Sequence, residues 1–303
     1  MRIFITGSNG FLAQKFCEIV KERELPYQLL GTSKSVNRNV YLSSSQFEQL
    51  DLCSFDLLKL SLDRFKPTHI LHTAAITSVE GCEQDKELAY TVNVLLTQYL
   101  SEYCKAHDIH LTFLSTDFVF DGENGPYDEC AATNPINYYG QTKVLAEEVI
   151  ASLNIQAAVL RTILVYGVIP DKSRSNLVLW AKKELEQNKS IKVVSDQWRM
   201  PTWVDDLAHA CLLAIQKNAN GTYHISGGEL MSVEETVKVI CHTFNFNLEL
   251  LSAISSQELG QDKNRPRKTG FVLCKSKRDL QFEPTPFVKS LEYICKQLEK
   301  YGD

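Results

Sequence analysis

Through the first half of the chain, short apolar runs alternate with longer stretches whose apolar residues recur every three or four positions. The runs read as strands and the stretches as amphipathic helices, because one face repeats every two residues in a strand and about every 3.6 in a helix. Strands are predicted at Arg2–Thr6, Tyr27–Gly31, His69–Thr73, Leu111–Ser115 and Ala157–Thr162, with a short extended piece ending at Leu50–Asp51. Helices are predicted at Phe11–Arg23, Phe55–Phe65, Lys86–His107 and Asn137–Leu153. Strand–helix alternation of this kind points to βαβ units. The strands are almost wholly apolar, as expected when helices cover both faces of a parallel sheet. The predicted fold class is therefore α/β, a doubly wound parallel sheet of the Rossmann type with a smaller C-terminal α/β substrate domain.

The regularity fades near Gly167. Beyond it a helix is predicted at Asn176–Asn188, a strand at Ile191–Val194, and a helix at Val204–Gln216 that runs out near Gly221. Ser232 opens another helix, and Glu235 three residues later completes a capping-box pattern. The division this suggests is a dinucleotide-binding domain over 1–166, joined by part of 201–225, and a substrate domain over 167–303, with a soft boundary.

The first chemical signal is the segment Thr6-Gly7-Ser8-Asn9-Gly10-Phe11-Leu12-Ala13, between a strand and a helix. Gly7 permits the tight turn, Gly10 allows a pyrophosphate close to the backbone, and Ala13 is small enough for helix–strand packing. The amides of Asn9 to Leu12 and the helix dipole then favour a diphosphate. An ordinary turn could carry the same glycines; its place at the head of a doubly wound pattern selects the cofactor reading. The second strand ends Gly31-Thr32-Ser33-Lys34, without the carboxylate that would bind a ribose diol and repel a 2′-phosphate. Ser33 can donate a hydrogen bond and Lys34 can pair with a phosphate, so NADP is expected over NAD; the plain alternative is a solvated loop lysine. Asp51 and Leu52 are candidates for the adenine contact, and Ala74 and Ala75 for close passage of the cofactor over a strand end.

The apolar strand at 111–115 ends in Ser115-Thr116-Asp117, at the sheet edge where open α/β folds bind ligands. The following helix starts with Asn134-Pro135-Ile136-Asn137-Tyr138-Tyr139-Gly140-Gln141-Thr142-Lys143. Tyr139 and Lys143 are four apart and share one helical face. A free tyrosine has a pKa of about 10, and a neighbouring ammonium is expected to lower it. Tyr139 can then protonate a carbonyl oxygen while a hydride arrives, with Thr116 orienting that oxygen and Lys143 also holding the cofactor ribose. Alone, a tyrosine and lysine at this spacing are common on ordinary helices; joined to the glycine turn and the Thr116 strand end they form a specific set. Tyr138 reads as packing.

Composition removes other classes. The net charge is −5 and no basic block occurs, which argues against nucleic acid. No stretch is long and apolar enough to span a membrane, and Met1–Gly10 is too short for a secretion signal. Nine cysteines, an odd number with no C-x-x-C pair, read as reduced thiols of a cytoplasmic protein. His107 and His110 lack a nearby third ligand, so no metal is expected.

At these residues the chain resembles the extended short-chain dehydrogenase/reductases over nearly its whole length, and within them the dTDP-4-dehydrorhamnose reductase family. The carrying segments are TGSNGFLA (6–13), STDFVFDG (115–122), NPINYYGQTKVLAEE (134–148), LRTILVYG (160–167), SDQWRMPTWVDDLA (195–208) and RPRKTGFVL (265–273). The resemblance implies NADPH-dependent reduction of a nucleotide-linked 4-keto sugar. It implies Thr116, Tyr139 and Lys143 as the catalytic set with Asp117 beside them, and Thr77 and Val79 at the sugar. The family carries a tryptophan where this chain has Leu164, which leaves the sugar open. The same motifs occur in the regulatory β subunit of methionine adenosyltransferase, so an NADP-binding regulatory subunit is the alternative from another class. A homodimer is also conceivable for such a chain.

In the second half, Arg199, Arg265 and Arg267 are candidates for a diphosphate clamp, since the guanidinium fork bonds phosphate in bidentate fashion; a solvated basic loop is the competing reading. Trp198 and Trp203 flank Pro201-Thr202 in a loop expected at the cleft between domains or closing the second core.

Overall fold

The apolar run Arg2–Thr6 forms β1, a central strand of a seven-stranded sheet. The computed structural model describes residues 1–302. The other strands of the sheet are β2 (Gln28–Ser33), β3 (Phe47–Gln49), β4 (His69–His72), β5 (His110–Thr116), β6 (Ala157–Thr162) and β7 (Gly221–Ile225). Their order is β7-β6-β5-β4-β1-β2-β3, and every neighbouring pair is parallel. The chain winds outward from β1 to β3, then crosses back to β4 and winds the other way. That reversal opens a crevice at the carboxyl ends of β1 and β4, the place where such sheets bind ligands.

Helices cover both faces, which is why β4 is buried throughout and β1 is buried from Ile3 onward. One face packs against Phe11–Glu22 and Val204–Gln216, through Ile3, Ile5, Phe16, Leu207, Cys211 and Ile215. The other packs against Phe55–Phe65, Leu96–His107 and Tyr138–Leu153, through Phe4, Leu58, Ile70, Leu100, Leu111 and Ile150. The segment after Trp203 thus returns to the sheet, and β7 begins where the sequence pattern shows only the end of a helix. Thr222 and His224 interrupt the apolar run there, so the strand has little local signal.

The helix expected over 86–107 is broken. Lys86–Tyr90 is α-helical, Thr91–Leu95 forms a π-turn, and Leu96–His107 resumes the α-helix. Such wide turns are rare and cluster at functional sites. Here the turn carries the buried Asn93, which accepts from Ile76 N at 2.8 Å and donates to Ile76 O and Thr142 Oγ1 at 3.0 Å each. It fastens the loop after β4 to the helix that bears Tyr139.

The second half builds its own core from helices Leu177–Glu186, Val233–Phe244 and Phe287–Tyr301. The strand Ile191–Val194 pairs there with Leu251–Ile254. Ser232 and Glu235 form the expected capping box. Trp203 lies in this core, stacked on Tyr293 with ring centroids 5.4 Å apart.

Candidate active site

A cleft of about 940 Å³ runs from the β1–β4 crevice into the second half. At one end is the glycine turn. Gly7 has φ +67°, a conformation that favours glycine, and an added Cβ would meet the Ala74 backbone at 3.0 Å. Gly10 N donates to Gly7 O at 2.7 Å, which closes the turn. Gly10 caps the helix Phe11–Glu22 without a side-chain hydrogen bond, and the first turn holds no acid. Amides at that end are free for an anion. Asn9 lines the same end of the cleft. Its buried side chain donates to Ser35 Oγ at 3.1 Å and Val36 O at 2.8 Å and accepts from Arg38 N at 2.9 Å, so it shapes the loop after β2.

Ser33, Lys34, Asp51 and Leu52 line the same end of the cleft. Lys34 is exposed, and its ammonium pairs with Asp51 at 2.8 Å. That contact lowers the Asp51 carboxyl and raises the Lys34 amine. The two residues assigned separately to phosphate and adenine therefore contact each other. Arg174, on a segment of the second half, reaches over the turn and donates to Asn9 O at 3.2 Å. Arg174 carries no motif signal because it stands in the irregular segment before the helix that Asn176 caps.

The reacting end lies at the carboxyl edge of β5. Thr116, Asp117, Tyr139 and Lys143 all line the cleft and all are buried. Gly140 makes this possible: a Cβ there would stand 2.1 Å from the Phe118 carbonyl oxygen, so glycine lets the helix press onto the strand end. Asn137 caps that helix through Gly140 N at 2.8 Å. The Thr116 hydroxyl stands close enough to the Tyr139 phenol to favour its ionised form. Asp117 accepts from Thr116 at 3.2 Å and from Thr269.

The electrostatics correct one expectation. Burial dominates at Tyr139 and raises its hydroxyl well above the ordinary range, only partly opposed by the Thr116 hydroxyl. Burial also pushes the Lys143 amine down to about 7, against the pull of Glu147. A lysine so desolvated is a weak source of positive charge at neutral pH and does not depress the phenol. Lys143 Nζ lies 4.0 Å from the Phe113 ring centroid. Below it, His72 bonds Thr6 at 2.8 Å and Thr97 at 3.1 Å and is held near 3 by burial, hence neutral. Behind it, Glu147 accepts from Ser115 and pairs with buried Arg161 at 2.6 Å.

The third wall belongs to the second half. Gln197, Arg199 and Arg265 line it, and Thr77, Val79 and Leu164 of the first half border the same cleft. Leu164 stands at φ +39°, unusual for a leucine. Arg199 is buried and its fork is taken: it donates to Pro266 O at 2.6 Å, Trp198 O at 2.7 Å and Arg267 O at 3.3 Å, with Nε 3.9 Å from Asp117. Its place is to fix the 265–267 loop and Asp117, which departs from the expected phosphate clamp. Arg267 lies outside the cleft lining, exposed, with its guanidinium 5.8 Å from the Trp198 ring centroid. The loop bearing both tryptophans does reach the cleft, through Gln197 and Arg199.

The family described as RmlD substrate binding domain matches residues 1–300, and the chain belongs to it. It is 32% identical to methionine adenosyltransferase 2 subunit beta of Xenopus tropicalis, over 86% of this chain and 77% of that protein. It is 26% identical to dTDP-4-dehydrorhamnose reductase of Aggregatibacter actinomycetemcomitans, over 97% of this chain and 98% of the relative. The solved dTDP-4-dehydrorhamnose reductase of Bacillus anthracis, in complex with NADP, superposes with a TM-score of 0.84 at 27% identity, covering 98% of this chain and 99% of that one.

Proposed function

We propose that this protein is an NADPH-dependent reductase of a nucleotide-linked 4-keto sugar, of the dTDP-4-dehydrorhamnose reductase kind. The observation that carries the reading is the buried Thr116–Tyr139 hydroxyl pair, with Lys143 one turn along the same helix, midway in a cleft that starts at the glycine turn. The dinucleotide fits that turn, because the Gly7 cradle would be filled by a Cβ and the helix amides carry no competing cap. Gly7, Gly10, Phe11 and Leu12 would hold its diphosphate, Ser33, Lys34, Asp51 and Leu52 its adenosine end, and Ala74 and Ala75 its passage over β4. When bound, it supplies the hydride.

The protein's own groups supply the proton. Thr116, turning its one hydroxyl proton away from Asp117, donates to the sugar carbonyl oxygen and fixes its direction. Tyr139, kept protonated by burial, gives its proton to that oxygen as charge develops. Lys143, poised near neutrality, can hold or release a proton beside the phenol. A phenol this hard to ionise is protonated at neutral pH, so the donor form is the one present when the carbonyl arrives. Thr77 and Val79 border the sugar, and Arg265 faces its diphosphate. The nine unpaired thiols fit a reducing compartment such as the cytoplasm.

The test is NADPH oxidation against a panel of dTDP- and UDP-linked 4-keto sugars. Turnover with at least one is expected. A second reading, a regulatory subunit that binds NADP, draws on the 32% identity to the adenosyltransferase β subunit and on Leu164 in place of tryptophan. Tight NADPH binding with no turnover across the panel would decide for it.

A further inference from the structure

One contact crosses the mouth of the cleft. Arg265 Nη2 donates to Glu80 Oε1 at 2.8 Å, between residues 185 apart in sequence. Glu80 lies in the first turn of Val79–Gln84, on the sheet side of the cleft, and Arg265 lies in the loop that Arg199 fixes on the opposite side. Both line the cleft. The pair is solvated, with the Glu80 side chain 53% and the Arg265 side chain 30% exposed. Ser78 Oγ adds a hydrogen bond to the other Glu80 oxygen at 3.2 Å.

The guanidinium is only partly satisfied by this arrangement. Its Nε is buried and has no hydrogen-bond partner among the described residues. It also stands near enough to Arg199 for its charge to weigh against the Arg199 cation. A diphosphate offers what Glu80 offers and more. It brings greater charge, and its oxygens match the planar fork in bidentate fashion.

We infer that Glu80 is a built-in competitor for the substrate diphosphate, holding Arg265 until two phosphates displace it. The inference rests on the reductase reading above. It makes Glu80 a specificity-determining residue. A nucleoside monophosphate or a free sugar brings too little charge to displace the carboxylate efficiently, whereas a nucleoside diphosphate does. It also means that substrate entry breaks a tie between the two sides of the cleft.

The experiment is calorimetric binding of dTDP and dTMP to the NADPH-loaded protein, for the wild type, Glu80→Gln, Arg265→Gln and the double variant. Glu80→Gln is expected to tighten dTDP about two- to fivefold, the ceiling set by a solvated ion pair. It should tighten dTMP by a larger factor, so that the preference for the diphosphate narrows. In the Arg265→Gln background the gain from Glu80→Gln should vanish. NADPH affinity should be equal in all forms, which checks the fold. Unchanged or weaker dTDP binding in Glu80→Gln would overturn the inference and leave the reductase reading standing, as would a gain that persists without Arg265. Failure of the wild type to bind dTDP at all, with NADPH bound normally, would remove the nucleotide-sugar reading and the inference together.

Discussion

The two ends of the cleft use charge in opposite ways. At the adenosine end, Lys34 and Asp51 form an exposed pair at 2.8 Å, each stabilising the other's charged form. At the reacting end, Tyr139 and Lys143 are buried, and burial moves each toward its neutral form. The exposed end can only attract, and solvent screens it. The buried end can hold a proton at a chosen atom, because desolvation decides which form survives. Recognition is thus placed in water and chemistry in the dry part of one continuous cavity.

The largest effect belongs to the dry end. Tyr139→Phe removes the proton donor and keeps the ring that packs against Phe118. Turnover should fall about 10²- to 10⁴-fold, the usual share of a positioned acid, with NADPH affinity unchanged by fluorescence titration. Wild-type turnover in this variant would mean that the proton comes from elsewhere and that the contrast between the two ends is misdrawn.

Next in size is the ion pair behind Lys143. Arg161 and Glu147 are 6% and 12% exposed, with the guanidinium also 3.4 Å from His224. Glu147→Gln keeps the shape and leaves a buried arginine unpaired, which should cost about 3–5 kcal/mol of stability. Denaturant unfolding measures it. A loss no bigger than that of a surface pair would show that solvent reaches this network and that the end is less dry than described.

Lys143 sharpens the comparison through pH. Its pKa falls from 10.5 to about 7 on folding. Below pH 7 both folded and unfolded chains carry the charge, and the folded chain bears the full cost of burying it. Between pH 7 and 10.5 the unfolded chain binds the extra proton, so stability rises with pH across that window. Lys143→Met should therefore stabilise the cofactor-free protein by a few kcal/mol at pH 6, with the gain shrinking steadily by pH 9. A gain equal at both pH values would place the lysine in a wetter site.

These differences also explain what the sequence conveys. The glycine turn, the alternation of β1 to β6 with helices, and the i,i+4 placing of Tyr139 and Lys143 are local patterns, and local patterns are legible. Burial is not local. The upward shift of the Tyr139 phenol follows from the helix pressing on Phe118 O at Gly140, and Glu147 meets Arg161 only because β6 lies beside β5. Asn93 depends on a π-turn with no compositional mark. Arg199 and Arg267 have the right chemistry for a phosphate, but the fold gives one to backbone carbonyls and the other to Trp198. Tyr223-His224-Ile225 carries too little local pattern to be assigned, and becomes a strand by pairing with β6.

The smallest effect tests the wet end. Lys34 has a partner in Asp51, so a 2′-phosphate gains a charge that is already half spent, at a fully solvated site. Lys34→Ala should weaken NADPH binding by only a few-fold and leave NADH untouched. Salt separates this from everything at the dry end. At about 1 M ionic strength the screening length is about 3 Å, shorter than the reach between an exposed ammonium and a phosphate that keeps its water. The NADPH preference carried by Lys34 should then collapse, and the wild type and Lys34→Ala should bind NADPH alike. The defect of Tyr139→Phe should persist at the same salt, because a proton handed between buried atoms has no solvent ions to screen it. If the Lys34→Ala penalty survives high salt, the phosphate sits in a desolvated contact, and the adenosine end must be counted with the buried one.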